Sequence, residues 1–162
     1  MKTAKWWHRE GDNIVCSLCP RLCIIHEGKA GFCNVRVNKE GTLYSLSYGR
    51  PAGVATDPIE KKPLYHFFPG SSIFSIGTIG CNLNCKFCQN WHLSRGKPES
   101  VESVFITPEE IVNLTVKSNT SLIAFTYNEP IVFGEYVIDI ISAAKEKGIK
   151  TVVVSAGYVE DE

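Results

Sequence analysis

Seven cysteines are the residues of this 162-residue sequence best suited to chemistry, and they form two separate clusters. Cys81, Cys85 and Cys88 make up the second cluster, with the spacing C-x3-C-x2-C. Three thiolates can ligate three irons of a [4Fe–4S] cubane, which leaves the fourth iron without a protein ligand. An electron-transfer ferredoxin would supply a fourth cysteine nearby, and none follows in the rest of the sequence. The spacing therefore predicts an iron–sulfur cluster with one open iron.

An open iron suits a small molecule that chelates a metal through an amine and a carboxylate, as the methionine part of S-adenosylmethionine (SAM) does. An electron from the cluster would then break the bond between the sulfonium and the 5′ carbon, which gives a 5′-deoxyadenosyl radical. The protein's task in such chemistry is to position the cofactors and to exclude water and oxygen. Two simpler interpretations stay open: three buried structural cysteines, or a zinc site completed by a ligand such as His92.

The first cluster consists of Cys16, Cys19, Cys23 and Cys33, and it offers four soft ligands within a short segment. A small, loop-rich module needs a cross-link to be stable, and a zinc ion held by four thiolates would supply one. A second iron–sulfur cluster and free thiols are the alternatives. His26 lies in the same segment and could replace one ligand, although a lone histidine there is more typical of a surface or packing residue.

Composition limits the kind of protein. The sequence is 44% hydrophobic, enough for a buried core, and its 17 basic and 17 acidic residues give a net charge of zero. That balance argues against a nucleic-acid-binding or membrane-surface protein, which would need a basic excess. No apolar segment approaches the roughly 18 residues of a membrane span. We expect a cytoplasmic protein, whose reduced thiols are available for metals rather than for disulfides.

Two domains are predicted from the change in pattern near residue 70. The first domain is residues 1–70, of which residues 1–50 lack helical periodicity and predict a cysteine-rich module that ends in short strands, with a half-buried strand at 41–50. The prolines and glycine of residues 51–70 predict a connection that runs over the surface. Residues 71–162 instead alternate between apolar runs and helical periodicity.

The second domain is predicted to be an α/β unit. Thr107, Pro108 and Glu110 form a capping-box sequence that begins a helix ending near Asn119. A second helical pattern ends at Gly148. Strands that are apolar on both faces and separated by helices predict a parallel sheet covered on both sides. The predicted strands are 71–77, 121–126 and 149–155, and the second helix is 131–147.

Three loops follow these three strands: the cysteine loop, residues 127–130 and residues 155–158. In a parallel β/α array, the loops after the strands open on the same face of the sheet, where active sites form. We therefore expect all three loops to lie beside the open iron.

The sequence resembles the radical SAM enzymes of the AmmeMemoRadiSam system, which are relatives of the pyruvate formate-lyase activating enzymes. The resemblance covers nearly the whole chain in order, and the cysteine spacing followed by a Glu-Pro loop is its most specific part. The matching stretches are CSLCPRLC, GKAGFCNVR, DPIEKKPLYHFFPGS, CNLNCKFCQNWHLS, TYNEP and VVVSAGY.

This resemblance implies roles for individual residues. Phe87, between two of the cysteines, would lie against the SAM adenine. Glu129 would receive the methionine ammonium, assisted by the backbone carbonyls of Tyr127 and Asn128. Many relatives carry Gly-Gly where this sequence has Tyr-Asn. Ser155 would contact the methionine carboxylate. The alternatives are that Glu129 only caps the following helix and that Ser155 only ends a strand.

The resemblance further implies a cysteine-rich module followed by the first three βα units of a partial TIM-like barrel. It implies an electron donor of the flavodoxin or ferredoxin type and favours a protein or peptide substrate. Two other classes remain: a non-catalytic metal-binding fragment and a simple electron-transfer protein.

The third predicted strand raises the question of what lies beyond it. Its apolar residues 152–154 would form an unpaired edge, which is an aggregation hazard. We expect either further strands, from a longer or a split polypeptide, or pairing of two copies through this edge. We expect the chain alone to aggregate, or to bind the cluster but cleave SAM poorly.

Overall fold

In the computed structural model, residues 1–101 and 104–160 are described, and they form three β-sheets with helices packed on the largest. The strands are β1 (Lys2–Thr3), β2 (Trp7–Glu10), β3 (Asn13–Cys16), β4 (Ile24–Ile25), β5 (Arg36–Lys39), β6 (Thr42–Ser45), β7 (Gly53–Pro58), β8 (Ser72–Gly77), β9 (Leu122–Phe125) and β10 (Lys150–Val153). The α-helices are α1 (Trp91–Ser94), α2 (Pro108–Lys117) and α3 (Gly134–Glu146). Short 3-10 turns cover Ile59–Lys61, Pro98–Ser100 and Pro130–Phe133.

The largest sheet has the strand order β10-β9-β8-β7. β8, β9 and β10 are mutually parallel, with Phe74 opposite Ile123 and Lys150 opposite Leu122. In the chain, α2 lies between β8 and β9, and α3 lies between β9 and β10. The predicted mixed α/β fold, with three parallel strands separated by helices, is therefore confirmed.

The predicted surface connection over residues 51–70 is wrong in one part. Residues 53–58 form strand β7, which pairs antiparallel with the whole of β8 from Gly53 opposite Gly77 to Pro58 opposite Ser72. Proline is compatible with this position because β7 lies at the edge of the sheet and Pro58 ends it. The prolines are typical of a loop, and no short turn joins this strand to β8. No local sequence signal therefore indicates the pairing.

Both predicted helix boundaries have the expected chemistry. The N–H of Glu110 donates to Thr107 Oγ1 at 3.2 Å, and the N–H of Thr107 donates to Glu110 Oε2 at 2.7 Å, which completes the capping box. Asn119 and Gly148 follow the two helices with φ of 59° and 68°, the left-handed conformation that ends helices. The second helix differs in its first turn, which is a 3-10 turn from Pro130 to Phe133.

The core lies mainly between the largest sheet and helices α2 and α3. Alternate residues of β8 and β9 pack against this helical layer, among them Ile76 and Phe125. The intervening residues pack with Ile59 in a smaller cluster on the opposite face. β8 and β9 are thus covered on both faces, as predicted, although helices cover only one. β10 is different, since Val153 remains 44% exposed.

The first 50 residues form two small antiparallel sheets, with the orders β1-β6-β5 and β2-β3-β4. The strand predicted at 41–50 ends at Ser45. A buried ion pair fastens this part of the chain to α3: Arg36 Nη2 donates to both carboxylate oxygens of Glu135, at 2.7 and 2.9 Å. The N–H of Lys5 donates to the same carboxylate at 2.7 Å. In the described residues, no helix is both long and apolar enough to cross a membrane.

Candidate active site

The cysteine loop begins a few residues after β8 and borders a cleft of about 360 Å³. Cys81 is buried, Cys88 is half-buried and Cys85 is exposed, and all three line this cleft. Glu129, from the loop after β9, lines the same cleft. The geometry therefore brings together the three cysteines and the carboxylate that the sequence singled out.

Asn128 joins the loop after β9 to the loop after β8. Its buried amide accepts from the N–H of Thr78 at 3.0 Å and donates to Thr78 Oγ1 at 3.2 Å. It also donates to the carbonyl of Gly80 at 2.5 Å. These bonds fix the segment that leads directly into Cys81. A side chain with both a donor and an acceptor is needed to make them, which explains an asparagine at this position.

Glu129 connects the same loop to the one after β10. Its carboxylate accepts from Ser155 Oγ at 2.5 Å and from the N–H of Ala156 at 2.8 Å. It also accepts from the N–H of Ile131 at 3.5 Å, at the start of the 3-10 turn. Glu129 thus makes the helix-capping contact that was predicted as an alternative, and it also lines the cleft. Asn128 and Glu129 together connect the loop after β9 to the loops after β8 and β10.

Tyr127 adopts a backbone conformation that normally favours glycine. Its φ is 72°, in the left-handed region, where a side chain costs about 1–2 kcal/mol. Two contacts of the Tyr127 side chain stabilise this conformation. Its hydroxyl donates to Asp57 Oδ2 at 3.1 Å, and Lys62 Nζ lies 4.8 Å from its ring centre. Asp57 and Lys62 belong to the segment interpreted as a bare connection.

Two other residues predicted to contact SAM are not among those that line this cleft. Phe87 is 86% exposed and is not part of the cleft lining. Ser155 does not line the cleft either and contacts Glu129 instead. Sequence reasoning missed Arg95, which lines the cleft one turn beyond Trp91. The signal that could have found it was its place on the short helix that follows Cys88.

The surroundings of the site raise the pKa of the buried Cys81 thiol and lower the pKa of the Asp57 carboxyl group. Burial raises the pKa of Cys81, and the nearby Glu129 carboxylate and Cys88 add to this against two backbone N–H groups. Burial would also raise the pKa of Asp57, but hydrogen bonds from Lys62 and Lys61 outweigh it and lower that pKa. Binding of a metal at Cys81 would displace the thiol proton.

The three cysteines border a cleft that has room for a cubane. Within residues 1–101 and 104–160, no three His, Cys, Asp or Glu side chains are arranged so that together they could hold one metal ion, and this is true of both cysteine clusters. A cubane makes a different demand, since each thiolate binds a different iron around a larger body. Cys81, Cys85 and Cys88 around an open cleft meet that demand. His92, the alternative zinc ligand, lies outside the cleft lining.

A family model described as the radical SAM superfamily matches residues 75–162, more than half of the chain. The chain belongs to the radical SAM superfamily. Membership implies a [4Fe–4S] cluster, SAM and a donor of electrons, and it covers the segment that carries the cysteine loop and Glu129. It confirms the superfamily inferred from the cysteine spacing.

Three curated proteins are similar to this radical SAM chain. An uncharacterized protein of Methanocaldococcus jannaschii is 43% identical over 163 residues, which cover 100% of this chain and 49% of that protein. A pyruvate formate-lyase-activating enzyme of Clostridium pasteurianum is 30% identical over 88 residues, 49% of this chain and 34% of the enzyme. A 7-carboxy-7-deazaguanine synthase of Rhodopirellula baltica is 30% identical over 91 residues, 56% of this chain and 34% of the synthase. The chain thus spans about half the length, or less, of the curated relatives it matches.

The first cysteine cluster lies in a different environment. Cys16, Cys19 and Cys33 are buried, Cys23 is half-buried, and none is in a disulfide. All four line one small cavity of about 20 Å³. Burial raises the pKa of Cys16 to about 11, although the Arg36 guanidinium acts against this. His26 lies apart from that cavity and makes a hydrogen bond to Asn13.

Proposed function

We propose that this chain provides the cluster-binding and SAM-binding part of a radical SAM enzyme of the activating-enzyme type. The observation that carries the proposal is the single cleft lined by Cys81, Cys85, Cys88 and Glu129. With both cofactors bound, reductive cleavage of SAM supplies a 5′-deoxyadenosyl radical for hydrogen abstraction.

The chain's own residues have separate tasks in this proposal. The three cysteines ligate the cluster and leave one iron for the methionine group. Glu129 receives the methionine ammonium as a charge-assisted hydrogen bond, beside the backbone carbonyls of Tyr127 and Asn128. Asn128 keeps the cysteine loop in place through its bonds to Thr78 and Gly80.

Two residues at the edge of the site are assigned more modest roles. Ser155 orients the Glu129 carboxylate through its 2.5 Å hydrogen bond, which is a positioning role in place of the direct SAM contact. Phe87 lies between Cys85 and Cys88 with its side chain exposed, and it would cover the adenine of bound SAM, since an exposed aromatic ring is suited to stacking.

The substrate proposal is a protein or peptide, as the resemblance to the AmmeMemoRadiSam and activating-enzyme groups implies. Similarity to the pyruvate formate-lyase-activating enzyme, 30% identity over 88 residues, supports it. The electron donor is proposed to be a flavodoxin or ferredoxin. The neutral balance of 17 basic and 17 acidic residues gives no support to a nucleic-acid substrate.

The exposed face of β10 supports pairing with further strands. Val153 and Val154 are 44% and 37% exposed, and β10 ends the strand order of its sheet. We propose that this edge is covered in the working enzyme, either by strands of a C-terminal half or by a second copy. Either arrangement would add strands to the sheet beside β10 and so extend the βα units toward a partial barrel.

Anaerobic reconstitution tests the proposed function. We expect about four irons bound per chain at the second cysteine cluster, with a reduced EPR spectrum that changes when SAM is added. Cys85→Ala should abolish this signal while sparing the metal content of the first cysteine cluster. A reduced cluster whose spectrum is indifferent to SAM would refute the enzyme proposal and return the chain to electron transfer or to a non-catalytic role.

A further inference from the structure

The proposed radical SAM chemistry leaves the first cysteine cluster without a function. Its four members come from separate places in the fold: Cys16 ends β3, Cys19 follows in a turn, Cys23 precedes β4, and Cys33 lies before β5. The chain nevertheless brings all four to one cavity. Free thiols need no such convergence, so the arrangement points to a common ligand.

The size of the cavity indicates what that ligand is. About 20 Å³ is little more than the space that holds one water molecule, and it therefore suits a single ion. The cleft beside Cys81, Cys85 and Cys88 is much larger, at about 360 Å³. The same kind of donor thus lines two cavities of very different volume, and only the larger has room for a cubane.

A buried cation at the same cavity gives an independent argument. Arg36 lines the cavity, its side chain is 1% exposed, and its Nη atoms are used by Glu135 and by the carbonyl of Lys5. Its Nε has no hydrogen-bond partner in the described part of the chain. A metal-bound thiolate is an acceptor for such an N–H, and donors of this kind typically support metal ligands from behind. A buried cation also offsets the negative charge of a four-thiolate site.

We propose that Cys16, Cys19, Cys23 and Cys33 bind one Zn²⁺ ion through four thiolates. Binding would release the four thiol protons and leave a tetrahedral centre, the ordinary form of structural zinc. The thiols do not surround one point before binding, and the same is true of Cys81, Cys85 and Cys88. The sulfurs would have to move onto the ion, and a change of rotamer moves a cysteine sulfur by about 3 Å.

The zinc site would stand directly behind the iron-binding loop. Arg21 Nε donates to the carbonyl of Asn82 at 2.6 Å, and Asn82 also lines the four-cysteine cavity. A side chain at Gly80 would have its Cβ only 2.4 Å from the carbonyl of Cys33, so the two loops touch backbone to backbone. Zinc at the first cluster would therefore hold Cys81 in position. This supporting role rests on the proposed function, whereas zinc binding itself does not.

Metal analysis of the full chain tests zinc binding separately from the radical SAM function. The variant Cys81→Ser/Cys85→Ser/Cys88→Ser lacks the iron ligands, and we expect it to contain one zinc per chain after purification. Adding Cys19→Ser should remove that zinc. In the triple variant stripped of zinc, titration with Co²⁺ should give the thiolate-to-cobalt absorption of a tetrahedral site, saturating at one equivalent.

The outcomes are distinct. Iron and sulfide bound by the triple variant would overturn the zinc proposal in favour of a second iron–sulfur cluster, and a metal-free triple variant that does not respond to Co²⁺ would overturn metal binding altogether. Neither result bears on SAM-dependent EPR of the wild type. Arg21→Ala tests the support role: it should keep zinc but lose iron to a chelator about tenfold faster than wild type. Loss of iron at the wild-type rate would overturn that role.

Discussion

The buried pair of Arg36 and Glu135 is expected to be the most sensitive electrostatic contact in this fold. Both side chains are 1% exposed. Glu135 accepts two hydrogen bonds from Arg36 Nη2, at 2.7 and 2.9 Å, and one from the N–H of Lys5 at 2.7 Å. Glu135→Ala would leave the guanidinium buried without its counter-charge, at the contact that fastens the cysteine-bearing part to α3.

The expected loss of unfolding free energy is about 3–5 kcal/mol, the usual cost of removing one partner of a buried ion pair. The three hydrogen bonds would add up to more, but their net contribution is reduced by the hydration that the groups regain on unfolding. For a domain with a typical stability of about 5–15 kcal/mol, the loss is a large fraction of the total. At a urea dependence of about 2 kcal/mol per molar, the midpoint should fall by about 2 M.

Urea unfolding followed by circular dichroism and tryptophan fluorescence measures this effect. Glu146→Ala is the matched control, because Glu146 is an exposed residue of the same helix, and it should change stability by less than about 0.5 kcal/mol. Arg36→Met/Glu135→Leu should recover most of the loss, since it removes both charges together. A loss below about 1 kcal/mol in Glu135→Ala would refute the reasoning, because the guanidinium would then have found water or another partner.

Two further predictions concern the candidate active site. Glu129→Gln should weaken SAM binding to the reconstituted protein by about 1.5–3 kcal/mol, the value of a charged hydrogen bond. Ser155→Ala keeps the carboxylate and should weaken SAM binding less. Equal affinities of wild type and Glu129→Gln in calorimetric titration would restrict Glu129 to capping the 3-10 turn. The lowered pKa of Asp57 means that its stabilising contribution is present above the ordinary carboxyl pKa of about 3.9 and is lost as the pH falls through the lower folded value. Asp57→Asn should therefore reduce stability at neutral pH and flatten its decline between about pH 5 and pH 2, as measured by urea unfolding across that range, and an unchanged slope would contradict the assignment.

Several features of this protein follow from the sequence alone, because each depends on neighbours in the chain. The spacing of Cys81, Cys85 and Cys88 sets how many irons they can reach, whatever surrounds them. The capping box of Thr107 and Glu110 forms within one helical turn. The apolar runs after residue 71 indicate the parallel strands because burial on both faces requires them. These local signals predicted the superfamily and the mixed α/β fold, and both are confirmed.

Other features depend on pairs of residues far apart in the sequence, and only the tertiary structure decided them. Strand β7 contains Pro58 and resembles a loop until β8 pairs with it along its whole length. Ser155 and the N–H of Ala156 donate to Glu129, which joins the loop after β10 to the loop after β9. The contact between Gly80 and Cys33 sets the two cysteine clusters back to back. Such contacts are selected from many alternatives by the pairing of buried hydrogen-bonding groups and by backbone packing. A local sequence pattern does not contain this information.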